Sequence, residues 1–556
     1  MLSKNSVHGS STDDGRRLRD NVADLLLTGA VSAKRARSLY SDSLTHDPRE
    51  TVELAKVADS SHAHRDLLRK LKKDKKWPGM FQATVPLLNR ATQEAEMGKI
   101  EVMLPHELVN AISIWNSHDD HFWKLDNLRA ACKQHLANAS KELGFGENDR
   151  IIPIGIWHDG IPVKYDRSES LEVVTMNFPH VGGAWASMRI PLTALYKGHM
   201  VKNSSLDGIM RVLTWSLTCL AEGVYPSHGP DGEELTGKRA KLAGKTLQKA
   251  LLVEVRGDWS AFKSAFRLPG WAERVSCCYR CSANKENFMD TSSSAPWRQS
   301  PLTHWQLVAN IYATEGSCPP LFGAPCFRTD IFAIDWLHCC DQGVAADYLG
   351  CLMHTILKEI PGNEKQKLAE LFRHVQDFYK RNGTESRLDH LTAGMVKKNS
   401  AASPKLRCKA GEARGLIPWI SDACAKFLTQ GTAEHRAAID AGRYLQECYS
   451  CLSVAQFDRD KLAGACRRFL LLYASLATIY PDQSVWRFKP KMHLFLHLCE
   501  ESLDSPSLHW VYRDEDFGGS LAHIGSRRGG KNTASAVSHL VLQMFYAKNP
   551  IPLVGQ

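Results

Sequence analysis

Apolar residues recur at helical spacing through the first part of the chain. From Leu18 the run "LRDNVADLLLTGAVSAKRARSLYSDSL" predicts a helix, a turn at Gly29 and a second helix that Ser32 caps. Another helical stretch covers roughly Leu104 to Leu143 and stops at Gly144 and Gly146, a domain boundary. Residues 1–15 are polar and are expected to be disordered, so 16–145 reads as a helical, basic N-terminal region. At Arg150 the period changes. "IIPIGIWHD" is an apolar run too short for a helix and predicts a strand. "IPVKYD" and "LEVVTMNF" predict two more strands, split by the polar turn "RSES", and "ASMRIPLTAL" predicts a fourth. "LDGIMRVLTWSLTCLAEGVY" is an amphipathic helix; after a glycine- and charge-rich loop, "LQKALLVEVRGDW" is a further strand-like run ending at Gly257-Asp258. Beyond Pro301 the pattern is helical to about Tyr480, broken near "GSCPPLFGAPC" and "NSAASPK", and the chain closes with "PKMHLFLHLCEE" and "VYRDEDFGGSLAHIGSRRGG".

Composition narrows this picture modestly. A chain of 556 residues, 43% hydrophobic and 23% charged, is long enough for several domains and a sizeable core. No uninterrupted apolar run has membrane-spanning length, and the polar start carries no signal-peptide core, so neither membrane nor secretion is expected. Sixteen scattered cysteines read as buried reduced thiols in a reducing compartment. The net charge of +10 fits a polyanionic partner without requiring one. Its densest run holds Arg65, Arg69, Lys70, Lys72, Lys73, Lys75 and Lys76, a solvated helix face that is also the leading candidate for phosphate contact. Lys34, Arg35 and Arg37 on the second helix read as a solvated helical hairpin rather than a DNA-reading helix-turn-helix.

The candidate chemistry lies in acids placed at strand ends. Asp159 and Asp258 each follow an apolar run, and either alone reads as a turn residue beside glycine. Neighbouring strands lie about 5 Å apart, so two such acids at one end of a sheet repel each other unless a hard cation relieves them. Cys278-x-x-Cys281 has zinc-hairpin spacing, with Cys277 as a spare. A structural zinc needs two further ligands; His304, Cys318 and Cys326 are available but form no clean second pair. His493 and His497 lie four apart, and Leu494 stands where a metalloprotease has glutamate, so they read as packing or phosphate-contact residues.

The series "PIGIWHDG", "EVRGDW" followed by "CCYRC", "DWLH", and "KPKMHLFLH" before "DEDFGG" resembles the DDE transposases of the CACTA type, including their Plavaka-like relatives. The resemblance covers roughly residues 150–545 and rests on the order and spacing of short motifs. It implies an α+β fold: an RNase H-like mixed-sheet core over 150–340, a helical insertion over 341–485, and a returning core segment over 486–548 that carries the third acid. Position by position, Asp159 matches the first acid, Asp258 the second, and Asp335 with His338 the aspartate-x-x-histidine element. The third acid falls within Asp514-Glu515-Asp516, with Glu515 favoured. The resemblance further implies that Asp159, Asp258 and Glu515 hold Mg2+ or Mn2+ for cutting and joining DNA, that Cys278 and Cys281 contribute to a structural zinc, and that the active form is a nuclear homo-oligomer. Arg527, Arg528 and Lys531 form a basic cluster near the third acid, suited to the DNA backbone. Two rivals stand beside this reading: a domesticated or decayed copy that binds DNA without cutting, and an RNase H-like nuclease that cuts without joining.

Overall fold

The computed structural model describes residues 11–27, 30–44, 48–73, 77–181, 188–399, 401–480, 485–526 and 533–551. Its centre is a four-stranded mixed sheet of β3 (Ile152–Pro162), β4 (Ser170–Asn177), β5 (Ile190–Tyr196) and β6 (Ala250–Arg256), in the order β5-β4-β3-β6. β3, β4 and β5 form an antiparallel meander, and β6 returns parallel to β3. The return passes through the helix Ser204–Glu222, the crossover that a parallel pair requires. β1 (Phe81–Leu88) and β2 (Ala95–Val102) make a separate hairpin earlier in the chain.

The sheet is covered on both faces. Ile152, Ile154 and Ile156 of β3 and Val174 and Met176 of β4 join the large core that includes the crossover helix. Trp157 and Ile161 of β3, with Leu171 and Val173 of β4, face instead the helices Tyr512–Ser526 and Ala534–Lys548. Asp159 has the parity of Trp157 and Ile161, so strand alternation sends it toward the Tyr512–Ser526 helix. Gly518 makes that contact close: a Cβ there would collide with Ile161 Cδ1 and lie 3.0 Å from the Trp157 ring. Gly257 serves similarly past the end of β6, where a Cβ would come within 2.7 Å of the His158 carbonyl oxygen.

Four expectations are corrected. Ser11–Leu27 is helical, so the expected disorder does not extend over residues 11–15; residues 1–10 lie outside the described chain. The region 16–145 contains the β1–β2 hairpin among its helices. "IPVKYD" is not a separate strand, because β3 runs on through Asp159 and Gly160 to Pro162, paired with β4 throughout. Asp159 is therefore inside a strand rather than at its end. One helix among the described residues, Arg459–Ile479, is long and apolar enough to cross a membrane. In this fold it buries Leu462, Phe469, Leu470 and Tyr473 in the core beside its neighbours Ala433–Ser450 and Pro490–Glu501.

The N-terminal helices Ser11–Leu27, Ala33–Ser43, Pro48–Ala55 and Ala63–Lys73 close around Tyr40, Leu67 and Leu71 and reach Met544 and Ala547 of the C-terminal helix. The Ser32 hydroxyl accepts the Arg35 N–H at 3.2 Å, the expected cap. Arg37 is tied to Asp59 at 3.0 Å and to the Val57 carbonyl at 3.3 Å, a bracing role within the bundle.

Candidate metal centres

Three chain segments bring side chains to one point beside β3. Asp159 comes from the strand; Asp335 and His338 from the segment entering the π-helical stretch Leu337–Ala345; and Glu515 from the first turn of the Tyr512–Ser526 helix. Ligand atoms of Asp159, His338 and Glu515 all lie within 4.8 Å of one another. Asp335 is the anchor. Its carboxylate accepts the N–H groups of Leu337 (3.1 Å), His338 (2.7 Å) and Val511 (3.0 Å) and the His338 Nδ1 proton at 2.8 Å. One acid thus ties the start of the π-helical turn to the start of the Tyr512–Ser526 helix. It also holds the imidazole so that Nε2 faces Glu515 Oε1 at 3.7 Å. Lys491 donates to the His338 carbonyl at 2.8 Å from the facing helix.

The cluster gathers the carboxyls of Asp159, Asp335 and Glu515 around one imidazole, that of His338. Burial, then the charge of Asp258, raise the Asp159 carboxyl above its ordinary range. Burial, then Asp159, push Glu515 up to about 9. Burial also works against a charged His338, but Asp335, Glu515 and Asp258 outweigh it and lift the imidazole to about 9. Burial raises Asp335 as well, yet its bonds to His338 and to the backbone hold it below the ordinary range. Glu515 Oε1 is buried without a hydrogen-bond partner. An orphaned carboxylate oxygen beside a second carboxylate is the donor set that a hard divalent cation satisfies.

The three acids of "DEDFGG" separate cleanly on the helix. Glu515 faces Asp159, whereas Asp516 is exposed. Asp514 is fully buried between Arg189 (Nη2 to Oδ2, 3.1 Å) and Arg256 (Nη2 to Oδ1, 3.3 Å). This ion network continues through Arg256 to Glu254 at 3.3 Å and on to Arg129 at 2.8 Å. Removing one partner of a buried pair strands the other, so Asp514→Asn is expected to destabilise the fold by about 3–5 kcal/mol in denaturant titration. Asp516→Asn should shift it by no more than about 0.5 kcal/mol. Equal unfolding curves for the two variants would contradict this division of roles.

Asp258 is placed differently from Asp159. It caps the helix Trp259–Phe266 by accepting the Ala261 N–H, and it lines a small cleft with Asp335, His338 and Lys491. Its charge reaches Asp159 and His338, but it lies outside the three-residue cluster.

A second convergence adds to the reading of His493 and His497 as packing or phosphate contacts an arrangement that could hold a metal ion. Both project from the helix Pro490–Glu501 onto the Cys278-x-x-Cys281 turn, and the four ligand atoms lie within 4.8 Å of one another. Cys281 Sγ is 3.2 Å from His493 Nε2 and 3.3 Å from His497 Nε2, and the two Nε2 atoms are 3.2 Å apart. A tetrahedron with metal–nitrogen bonds of about 2.0–2.1 Å and metal–sulfur bonds of about 2.3 Å has edges of roughly 3.3–3.8 Å, close to these separations. The Arg280 N–H points at Cys278 Sγ (3.2 Å), and Glu501 Oε1 sits 2.7 Å from His497 Nδ1, where it orients the imidazole. Cys277 turns away toward the Ala283 carbonyl, while His304, Cys318 and Cys326 line a separate groove. Among the described residues these are the two groups arranged to hold a metal ion.

The expected DNA contacts are only partly described. Arg69 is exposed and lies 3.7 Å from Asp66, and Lys70 is engaged by the Glu53 carboxylate at 3.4 Å. Lys72 and Lys73 close the Ala63–Lys73 helix. Lys75, Lys76, Arg527, Arg528 and Lys531 lie outside the described residues. No protein-family model matches this chain, and no curated protein matches it.

Proposed function

We propose that the chain is a transposase-derived protein of the CACTA type whose RNase H-like core cuts and joins DNA with Mg2+ or Mn2+. The observation that carries this reading is the meeting of Asp159, His338 and Glu515, drawn from three distant segments in the order that the motif series implies. Asp159 and Glu515 would hold the metal, with Asp258 beside them on the neighbouring strand connection. A divalent cation held there by Asp159 and Glu515 would neutralise the acid pair and supply Lewis-acid polarisation of a phosphate and an attacking oxygen. The chain's own contribution is to hold charge in place. Asp335 keeps His338 protonated through neutral pH, with Nε2 free of Asp335 and available to a phosphate oxygen. Lys491 fixes the His338 carbonyl and adds positive charge to the cleft that Asp258 lines. DNA as partner, a nuclear location and a homo-oligomer for paired-end cutting belong to the same proposal.

One observation favours the rival of a copy that binds DNA without cutting: Asp258 is engaged as a helix cap outside the three-residue cluster. Nicking of a supercoiled plasmid with Mn2+ distinguishes the two. The intact chain should nick, and Asp258→Asn and Glu515→Gln should each lose at least about a hundredfold. Absence of nicking by the intact chain supports the non-cutting rival. Nicking with no joined product from candidate terminal repeats supports a simple nuclease.

A further inference from the structure

The π-helical stretch Leu337–Ala345 carries a second buried carboxylate that the metal site does not use. Asp341 is fully buried, one turn beyond His338. Tyr512 donates to its Oδ2 at 2.8 Å, and Tyr449 donates to its Oδ1. These three groups belong to three elements. Tyr512 opens the helix that presents Glu515 one turn later. Tyr449 comes from the helix Ala433–Ser450 in the helical section, where its ring meets Trp336 edge-on at 5.3 Å. Arg414, from another short helix of that section, lies 4.3 Å over the Trp510 ring, which packs edge-on against Tyr512 at 5.5 Å. Cys340 Sγ adds a contact to the Tyr449 hydroxyl at 3.5 Å. Widened π-helical turns gather at functional sites because they re-aim side chains. Here the turn directs His338 at Glu515 and Asp341 at Tyr512, so the two helices are cross-linked twice.

We propose that Asp341, Tyr449 and Tyr512 form a strut that sets Glu515 against Asp159 and His338, and that couples the helical section to the metal site. The coupling to metal rests on the reading that Asp159 and Glu515 hold a divalent ion. None of the three residues lies in the cluster of metal-ligating atoms, so all are positioning residues. Asp514 fixes the rotation of the third-acid helix through its arginine pairs, and the Tyr512 hydroxyl fixes its distance from the π-helical turn. Tyr449 shares the same carboxylate. Loss of its hydroxyl unbalances a buried acceptor, and the disturbance reaches the Glu515 helix without passing through the sheet.

Hydrogen–deuterium exchange on the full metal-free chain tests the strut. Tyr512→Phe and Tyr449→Phe keep the rings and should each speed exchange of the 512–526 amides about tenfold, the scale of one buried hydrogen bond. Tyr348→Phe is the control. Its hydroxyl is buried and bonds the Ala438 carbonyl of the same Ala433–Ser450 helix at 2.7 Å, not Asp341. It should leave the 512–526 amides unchanged. Unaltered exchange in Tyr449→Phe, or equal acceleration in Tyr348→Phe, overturns the strut. A Mn2+ titration of the same proteins adds the functional arm, with the dissociation constant about tenfold weaker in Tyr449→Phe. If Asp159→Asn titrates like the unaltered chain, the metal reading fails, and the exchange result still decides the strut.

Discussion

Asp159→Asn should abolish Mn2+-dependent nicking and, in the same protein, raise the thermal stability of the metal-free chain. Both effects come from one arrangement. Asp159 and Glu515 sit side by side and half-buried; burial and Asp258 raise the proton affinity of Asp159, and burial and Asp159 raise that of Glu515. An acid whose folded-state affinity for protons exceeds its unfolded one favours the fold at low pH. That contribution is complete below the unfolded value near 4.5 and is lost as pH rises toward about 9, the Glu515 value. His338, raised from 6.5 to about 9, loses its stabilising contribution over the upper part of the same window. The metal-free chain is therefore expected to lose stability steadily from pH 5 to pH 9, and Mn2+ should restore it most at the alkaline end. The asparagine variant keeps the shape, removes one charge and lets Glu515 ionise more readily. Its melting temperature without metal should exceed that of the unaltered chain at pH 8 and respond little to Mn2+. A variant that melts lower at pH 8, or that still nicks, contradicts the paired-acid site.

The sheet was legible where pattern and chemistry agree. β3, β4, β5 and β6 all follow apolar runs of strand length, and the crossover helix between β5 and β6 follows its helical period. Asp159-Gly160 misled because an Asp-Gly pair is a strong local turn signal. Pairing of Gly160 with Glu172 and of Pro162 with Ser170 overrides it, because β4 supplies backbone partners beyond the turn residues. The β1–β2 hairpin escaped for local reasons as well. Pro86 interrupts β1, and β2 is largely exposed, with Glu96, Gly98 and Lys99 in place of alternating apolar residues. The burial of Asp514, in contrast to Glu515 and Asp516, was contained in the sequence. Val511, Asp514, Gly518, Leu521 and Ala522 form one buried helical stripe, so Asp514 had to be the acid with an internal partner. The partners themselves, Arg189 and Arg256, follow only from the three-dimensional arrangement.

His497→Ala or Cys278→Ser should release one zinc ion per chain and unfold much of the region around it. His493 Nε2 lies 3.2 Å from Cys281 Sγ across a sequence separation of 212 residues, a distance no spacing rule could span. Two thiols and two imidazoles are a soft and borderline donor set that favours zinc over magnesium or manganese. Without a metal the cluster is costly. Burial raises the Cys278 thiol, and burial opposes a charged His497 that Cys278 and Glu501 nevertheless lift to about 9. Zinc held there would replace that frustrated pair with bonds worth about 10–16 kcal/mol in small zinc domains at neutral pH. It would also join the Cys278–Cys281 turn to the Pro490–Glu501 helix, whose Lys491 holds the His338 carbonyl. Chelation should thus lower thermal stability and slow Mn2+-dependent nicking together, with zinc but not Mn2+ restoring both. Elemental analysis of the purified chain gives the direct reading. A fully folded, zinc-free protein whose stability ignores both the chelator and His497→Ala would show that the four residues merely pack against Trp297, whose ring lies 4.6 Å from His493 and 5.3 Å from His497.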